Sequence, residues 1–205
     1  MAIVEPKQER SRKTLESLLT TGVKLLKTGN PQDLRIEEVV TKAKSSIGSF
    51  YARFPSKAEY LEALAERLEA DLSHRLDSLV DGNSAPRDVV GMAEALVTAL
   101  STDGRQRSAL RHADVEIRKR GRTMDQQVMK RVTEALGKAG VSDPEKSQRA
   151  TELLVAAVDG SSQTFATDKS RSALLSELPS IMASYLSPAS ARATRAPVDP
   201  FDVWA

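Results

Sequence analysis

Apolar residues recur at helical spacing along nearly the whole chain. Between Lys7 and Gly29 they fall at Leu15, Leu18, Leu19, Val23, Leu25 and Leu26, close to the i, i+3, i+4, i+7 rhythm of one helix face, and "TGNP" stops the run. A second segment, "LRIEEVVTKA", sets Ile36, Val39, Val40 and Ala43 on one side. After the break "KSS", the stretch "IGSFYARF" has room for about two turns before Pro55, which disfavours helical geometry in the residue before it. Two short helices across a tight turn make a helix-turn-helix candidate.

A fourth helix is expected from about Lys57 to Val80, striped by Leu61, Leu64, Leu68, Leu72, Leu76 and Leu79. Further helices are expected at about 86–101, 105–118 and 122–139, the last two separated by a basic loop at "RKRGR", Arg118 to Arg122. "SDPE" at Ser142 to Glu145 is a capping box with proline in the first turn, opening a helix over 144–166. Its centre, "LLVAAVDG", is apolar nearly all round, which calls for burial on more than one side. A last helix over 170–186 carries Leu174, Leu178, Ile181, Met182 and Tyr185, with Pro179 expected to kink it. Beyond Ser187 the Ala/Pro/Arg-rich sequence is expected to be a flexible tail, which Trp204 could dock onto the body. There is no strand alternation and no internal repeat. The expectation is an all-α chain of about nine helices.

Composition supports a globular reading, with 28% charged and 40% hydrophobic residues in 205. The N-terminus lacks an apolar stretch followed by a small-residue cleavage site, so a cytoplasmic location without a membrane span is expected. The absence of cysteine excludes disulfides, thiolate nucleophiles and Cys-ligated metal, and two histidines are too few for a convincing metal site. No G-x-S-x-G, Walker or H-E-x-x-H sequence is present, so an enzyme is not expected.

Charge changes the picture more. The net charge is +2, yet from Lys7 to Lys57 eleven Lys/Arg stand against five Asp/Glu. A basic patch at one end of a near-neutral chain is the footprint of a polyanion-binding module. "SKAE" at Ser56 to Glu59 is a second capping box, making Ser56 the cap and Lys57 the first helical residue. A cation at that position opposes the helix dipole by about 0.3–1 kcal/mol. The placement makes sense if a phosphate sits at the helix terminus beside it.

The order of a basic first helix, a helix-turn-helix, "FYARFPSK" and a leucine-striped fourth helix resembles the DNA-binding domain of TetR-type (TetR/AcrR) transcriptional repressors over about residues 10–70. The match is carried by Gly48, Phe50, Tyr51, Phe54, Pro55, Ser56 and Lys57. The resemblance implies a DNA-binding domain over 7–55 and a regulatory and dimerisation domain over 56–186. It implies a third helix in the major groove, Phe50 and Phe54 facing inward, and Lys44, Ser46, Ile47, Gly48, Ser49, Tyr51, Arg53 and Lys57 at double-stranded DNA. Tyr51 would reach a phosphate, Ser49 a phosphate or base edge, and Ile47 a thymine methyl. The sequence departs from the family at the turn. Lys44 stands where glycine is usual, at about 1–2 kcal/mol if left-handed. Ser45 replaces an apolar residue, and Arg35 replaces the usual cap of the second helix, leaving Asp33 as a substitute.

The same resemblance implies a homodimer joined through 144–166 and 170–186, no cofactor, and a small-molecule effector that releases a pseudo-palindromic operator. Deep burial within a monomer would leave the same apolar signature at "LLVAAVDG". With only Phe165 and Tyr185 as aromatics over 86–185, a Leu/Val/Met/Ala pocket for an aliphatic or acyl ligand is expected. Arg111, His112 and Glu116 are spaced to share a helix face as polar ligand contacts, although a solvated face has the same spacing. The other class of function compatible with the sequence is a helical interaction protein of TetR-like fold without specific DNA binding.

Overall fold

The computed structural model describes residues 5–164 and 168–186; the expected tail and Trp204 lie outside them. Among the described residues the order is α1 (Glu5–Leu25), a 3-10 turn (Pro31–Asp33), α2 (Ile36–Lys42), α3 (Ile47–Tyr51), α4 (Lys57–Asp81), α5 (Val89–Ser101), α6 (Gly104–Ala113), α7 (Val115–Lys138), α8 (Pro144–Thr164) and α9 (Asp168–Leu186). The all-α expectation holds, and among the described residues no helix is long and apolar enough to cross a membrane.

Two apolar cores share α4. Leu18, Val39, Phe50, Tyr60, Leu64 and Leu68 belong to the first, which α1 to α3 close. Leu72, Leu76 and Val80 belong to the second, built with α5, α7, α8 and α9. The stripe read from sequence therefore serves both, drifting at its end from Leu79 to Val80. Leu110 of α6 and Ile117 of α7 join the first core, so the middle of the chain packs directly beneath the helix-turn-helix. α9 lies along α5 and α8 and runs through the buried Pro179 as one helix.

The break expected at "RKRGR" lies instead at Asp114. The Asp114 carboxylate accepts from the backbone N–H groups of Glu116 and Ile117 at 2.7 and 3.2 Å, which starts α7 there. Gly121 lies inside α7 with Arg111 packed against it. A Cβ at that position would stand 2.8 Å from Arg111 Nε.

The turn between α2 and α3 is a Schellman cap. Ser45 N–H donates to the Val40 carbonyl at 2.8 Å, Lys44 N–H donates to Thr41 at 3.2 Å, and Lys44 is left-handed at φ 52°. Lysine accordingly occupies the conformation that its neighbours dictate. The expectation that Asp33 caps α2 is not met. Arg35 occupies the cap position and no side chain bonds there.

Candidate nucleic-acid interface and regulatory cavity

The short helix α3 is fixed from its inner side. Phe50 is 0% exposed and stands 5.3 Å from Phe54 and 4.9 Å from Tyr60, ring centre to ring centre. Tyr60 in turn donates its hydroxyl to the Leu18 carbonyl at 2.7 Å, tying α4 to α1, and burial raises that phenol above its ordinary range. The approach requires glycine at Gly22, where a Cβ would meet the Tyr60 oxygen at 2.3 Å. Burying Phe50 contributes about 1.5–3 kcal/mol, ample to hold a five-residue helix that could not stand alone. Ser46 caps it by accepting from Ser49 N–H at 3.1 Å.

Among the described residues, its outer side is largely exposed. Ile47 is 48% and Tyr51 50% exposed, and Lys44, Ser46 and Gly48 share that exposure while Ser49 is half-buried. A Cβ at Gly48 would meet nothing within 4 Å. The protein therefore has no internal need of glycine in this helix, where it costs about 0.5–1 kcal/mol relative to alanine.

Two expected contact residues are also used internally. Arg53 donates from Nη1 to the Ser49 carbonyl at 2.6 Å and from Nη2 to Ser11 Oγ at 3.1 Å, bracing α3 against α1. Ser56 caps α4 as read from sequence, accepting from Glu59 N–H at 3.2 Å. Lys57 opens α4, but its Nζ donates to the Gln32 carbonyl at 2.6 Å. Nothing in the sequence signals the roles of Ser11 and Gln32, which come from residues 42 and 25 positions away from their partners.

A second site lies among α4 to α8. Leu72, Leu100, Val128 and Val155 form the apolar side of a cavity of about 60 Å3, and Arg107, Arg111, Asp125 and Asp159 form its charged side. Its walls are thus more charged than the aliphatic pocket expected from composition. Arg111 donates to Asp125 at 2.7 Å, and His112 also lines the space, its Nδ1 2.7 Å from the Ser108 carbonyl. Glu116 does not share their helix face. It lies beyond the Asp114 break and pairs with Lys119 at 2.7 Å on the surface. Arg107 was not legible from sequence: it is 7% exposed and donates to the carbonyls of Leu100 and, at 2.6 Å, Thr102. Burial among Arg75 and Arg111 pushes its guanidinium down to about 10.

No protein-family model and no curated protein matches the sequence. Solved structures do. A transcriptional regulator of the TerR/AcrR family from Aquifex aeolicus VF5 is similar with a TM-score of 0.63 and 17% identity, over 82% of this chain and 97% of its own. The regulatory protein TetR from Rhodobacter sphaeroides gives a TM-score of 0.65 and 18% identity, over 84% and 98%. The transcriptional regulator FadR from Bacillus subtilis, in complex with stearoyl-CoA, gives 0.61 and 12%, over 84% and 98%. The TetR-type resemblance thus extends in fold from the helix-turn-helix across most of the chain.

Proposed function

We propose that this protein is a ligand-responsive, sequence-specific DNA-binding transcriptional regulator of the cytoplasm, and that it acts as a repressor. The observation that carries the reading is the division of α3: Phe50 wholly inside, Ile47 and Tyr51 half exposed outside, and lysines at the preceding turn and following helix. An isoleucine held out on a polar surface suits a thymine methyl, and a phenol beside it suits a phosphate. Gly48, with no protein neighbour to accommodate, leaves room for the close approach of a DNA backbone or base edge. Lys44, Ser46, Ser49, Arg53 and Lys57 complete the contact set, and residues 7–55 form the DNA-binding domain.

Residues 56–186 form the regulatory and dimerisation domain. Leu153 of α8 and Ile181 of α9 are each 55% exposed and supply the apolar face on which a second copy would pack. A two-fold dimer presents two copies of α3 and so reads a pseudo-palindromic operator. A small molecule entering the cavity beside Arg111 and His112 shifts the equilibrium away from the DNA-bound form by binding the other form more tightly. One structural neighbour holds stearoyl-CoA. The cavity here, at about 60 Å3, calls for a far smaller effector.

Electrophoretic mobility shifts of fragments from around its own coding region test the reading, repeated with candidate metabolites. Retarded DNA that a metabolite releases is the expected result.

A further inference from the structure

Among the described residues, the regulatory cavity holds one cation and one carboxylate without a contact ion pair. Arg111 is matched by Asp125 at 2.7 Å, and Arg75, nearby, faces Asp103 at 3.8 Å. Arg107 has no carboxylate within ion-pair distance among the described residues. Its two terminal nitrogens point to the carbonyl ends of α5 at Leu100 and Thr102. Those bonds use two of its five N–H groups and leave it without a counter-ion at contact distance in a buried setting. Asp159, on α8, lines the same cavity. It acts on Arg107 only through space, without an ion pair or hydrogen bond between them. The two charges therefore share a cavity that no ion pair or hydrogen bond between them closes among the described residues.

The apolar side narrows the choice of what could bridge them. Leu72, Leu100 and Val128 are buried, and Val155 closes the space from α8. A volume of about 60 Å3 admits only a small molecule. An anion gains most at Arg107, which is 7% exposed, because Arg111 of the same helix adds a second guanidinium beside it. A simple amine would meet both cations first.

We propose that the cavity binds a small carboxylic acid carrying a neighbouring hydroxyl or ammonium group. The carboxylate lies against Arg107 and Arg111, the neighbouring donor reaches Asp159, and a short aliphatic body rests on Leu72, Leu100, Val128 and Val155. This rests on the reading of the cavity as the effector site, and it names that effector's class. The pair of charges also sets selectivity. An acid without the donor forgoes the contact with Asp159, which water then hydrates at the α8 surface, and an amine without the carboxylate leaves Arg107 with no anion.

Calorimetric titration of the full chain with α-hydroxybutyrate, α-aminobutyrate, butyrate and butylamine tests the assignment. At least one substituted acid is expected to bind about tenfold tighter than butyrate, with no heat from butylamine. Asp159→Ala, at a residue whose side chain reaches the α8 surface, should abolish that preference, with butyrate bound at least as tightly as by the parent because a like charge beside the carboxylate is removed. Arg107→Gln should remove acid binding altogether while the protein still melts cooperatively. If that variant does not fold, the Asp159→Ala comparison decides alone. Equal binding of butylamine, an unchanged preference in Asp159→Ala, or no binding of any acid overturns the proposal. Mobility shifts on the same preparations separate the two readings: DNA retarded by protein that binds no acid leaves the regulator and removes only this ligand class.

Discussion

Lys57 Nζ donates to the backbone carbonyl of Gln32 at 2.6 Å, and the side-chain amide of that same Gln32 donates to the Ala113 carbonyl at 3.2 Å. The lysine at the start of α4, the 3-10 turn and the last residue of α6 are thereby joined in one series. α6 also carries Arg107 and Arg111 of the cavity, so the series links the two candidate sites through few bonds.

Gln32→Ala removes only the bond to α6. The expected loss is about 0.5–1.5 kcal/mol of stability, read from denaturant melts. The salt dependence of DNA binding should not change, because no cation is lost. A changed slope would mean that Gln32 itself positions a phosphate-contacting group.

Lys44→Gly separates stability from binding in the opposite sense. Relieving a left-handed lysine at φ 52° should raise stability by about 1 kcal/mol. Losing the exposed cation should weaken DNA binding and reduce the salt slope by about one. If affinity and slope both stay at the parent's values, Lys44 does not touch a phosphate.

Two other departures at the helix-turn-helix carry stability costs of their own. Ser45 Oγ is buried without a hydrogen-bond partner, and Arg35 heads α2 with no side-chain cap. Ser45→Val should stabilise by about 1 kcal/mol by removing an unsatisfied hydroxyl. Arg35→Ser should add about 0.5–2 kcal/mol by capping α2. Thermal melts of the two variants and of their combination check both gains.

These turn residues show where sequence was sufficient. The 3.6-residue rhythm, the "SKAE" box and the Phe50/Phe54 spacing are local signals, and the structure repeats them. The left-handed Lys44 was foreseeable because the turn geometry is set by its neighbours. The Asp114 break was not. An Asp cap and a Gly both interrupt an apolar pattern, and here the cap at Asp114 starts the helix while Gly121 lies within it against Arg111 of another helix. The unmatched pair in the cavity was also hidden. Arg107 and Asp159 are far apart in sequence, and only the packing of α6 against α8 brings them to one space.

The proposed dimer rests on the exposed faces of α8 and α9. Replacing Leu153 and Ile181 together by glutamate should yield a folded monomer by sedimentation equilibrium, with operator affinity reduced at least about tenfold because the second half-site is no longer tethered. A double variant that sediments like the parent would place the interface elsewhere.

The most direct measurement is the salt dependence of DNA binding by the parent protein and by Lys57→Ala, on a fragment that the parent retards. Affinity of the parent should fall steeply between about 50 and 200 mM salt, and the variant should show a slope shallower by about one on every fragment bound. A parent that binds no fragment in a salt-sensitive way, or a Lys57→Ala protein that binds with the parent's affinity and slope, would contradict this expectation.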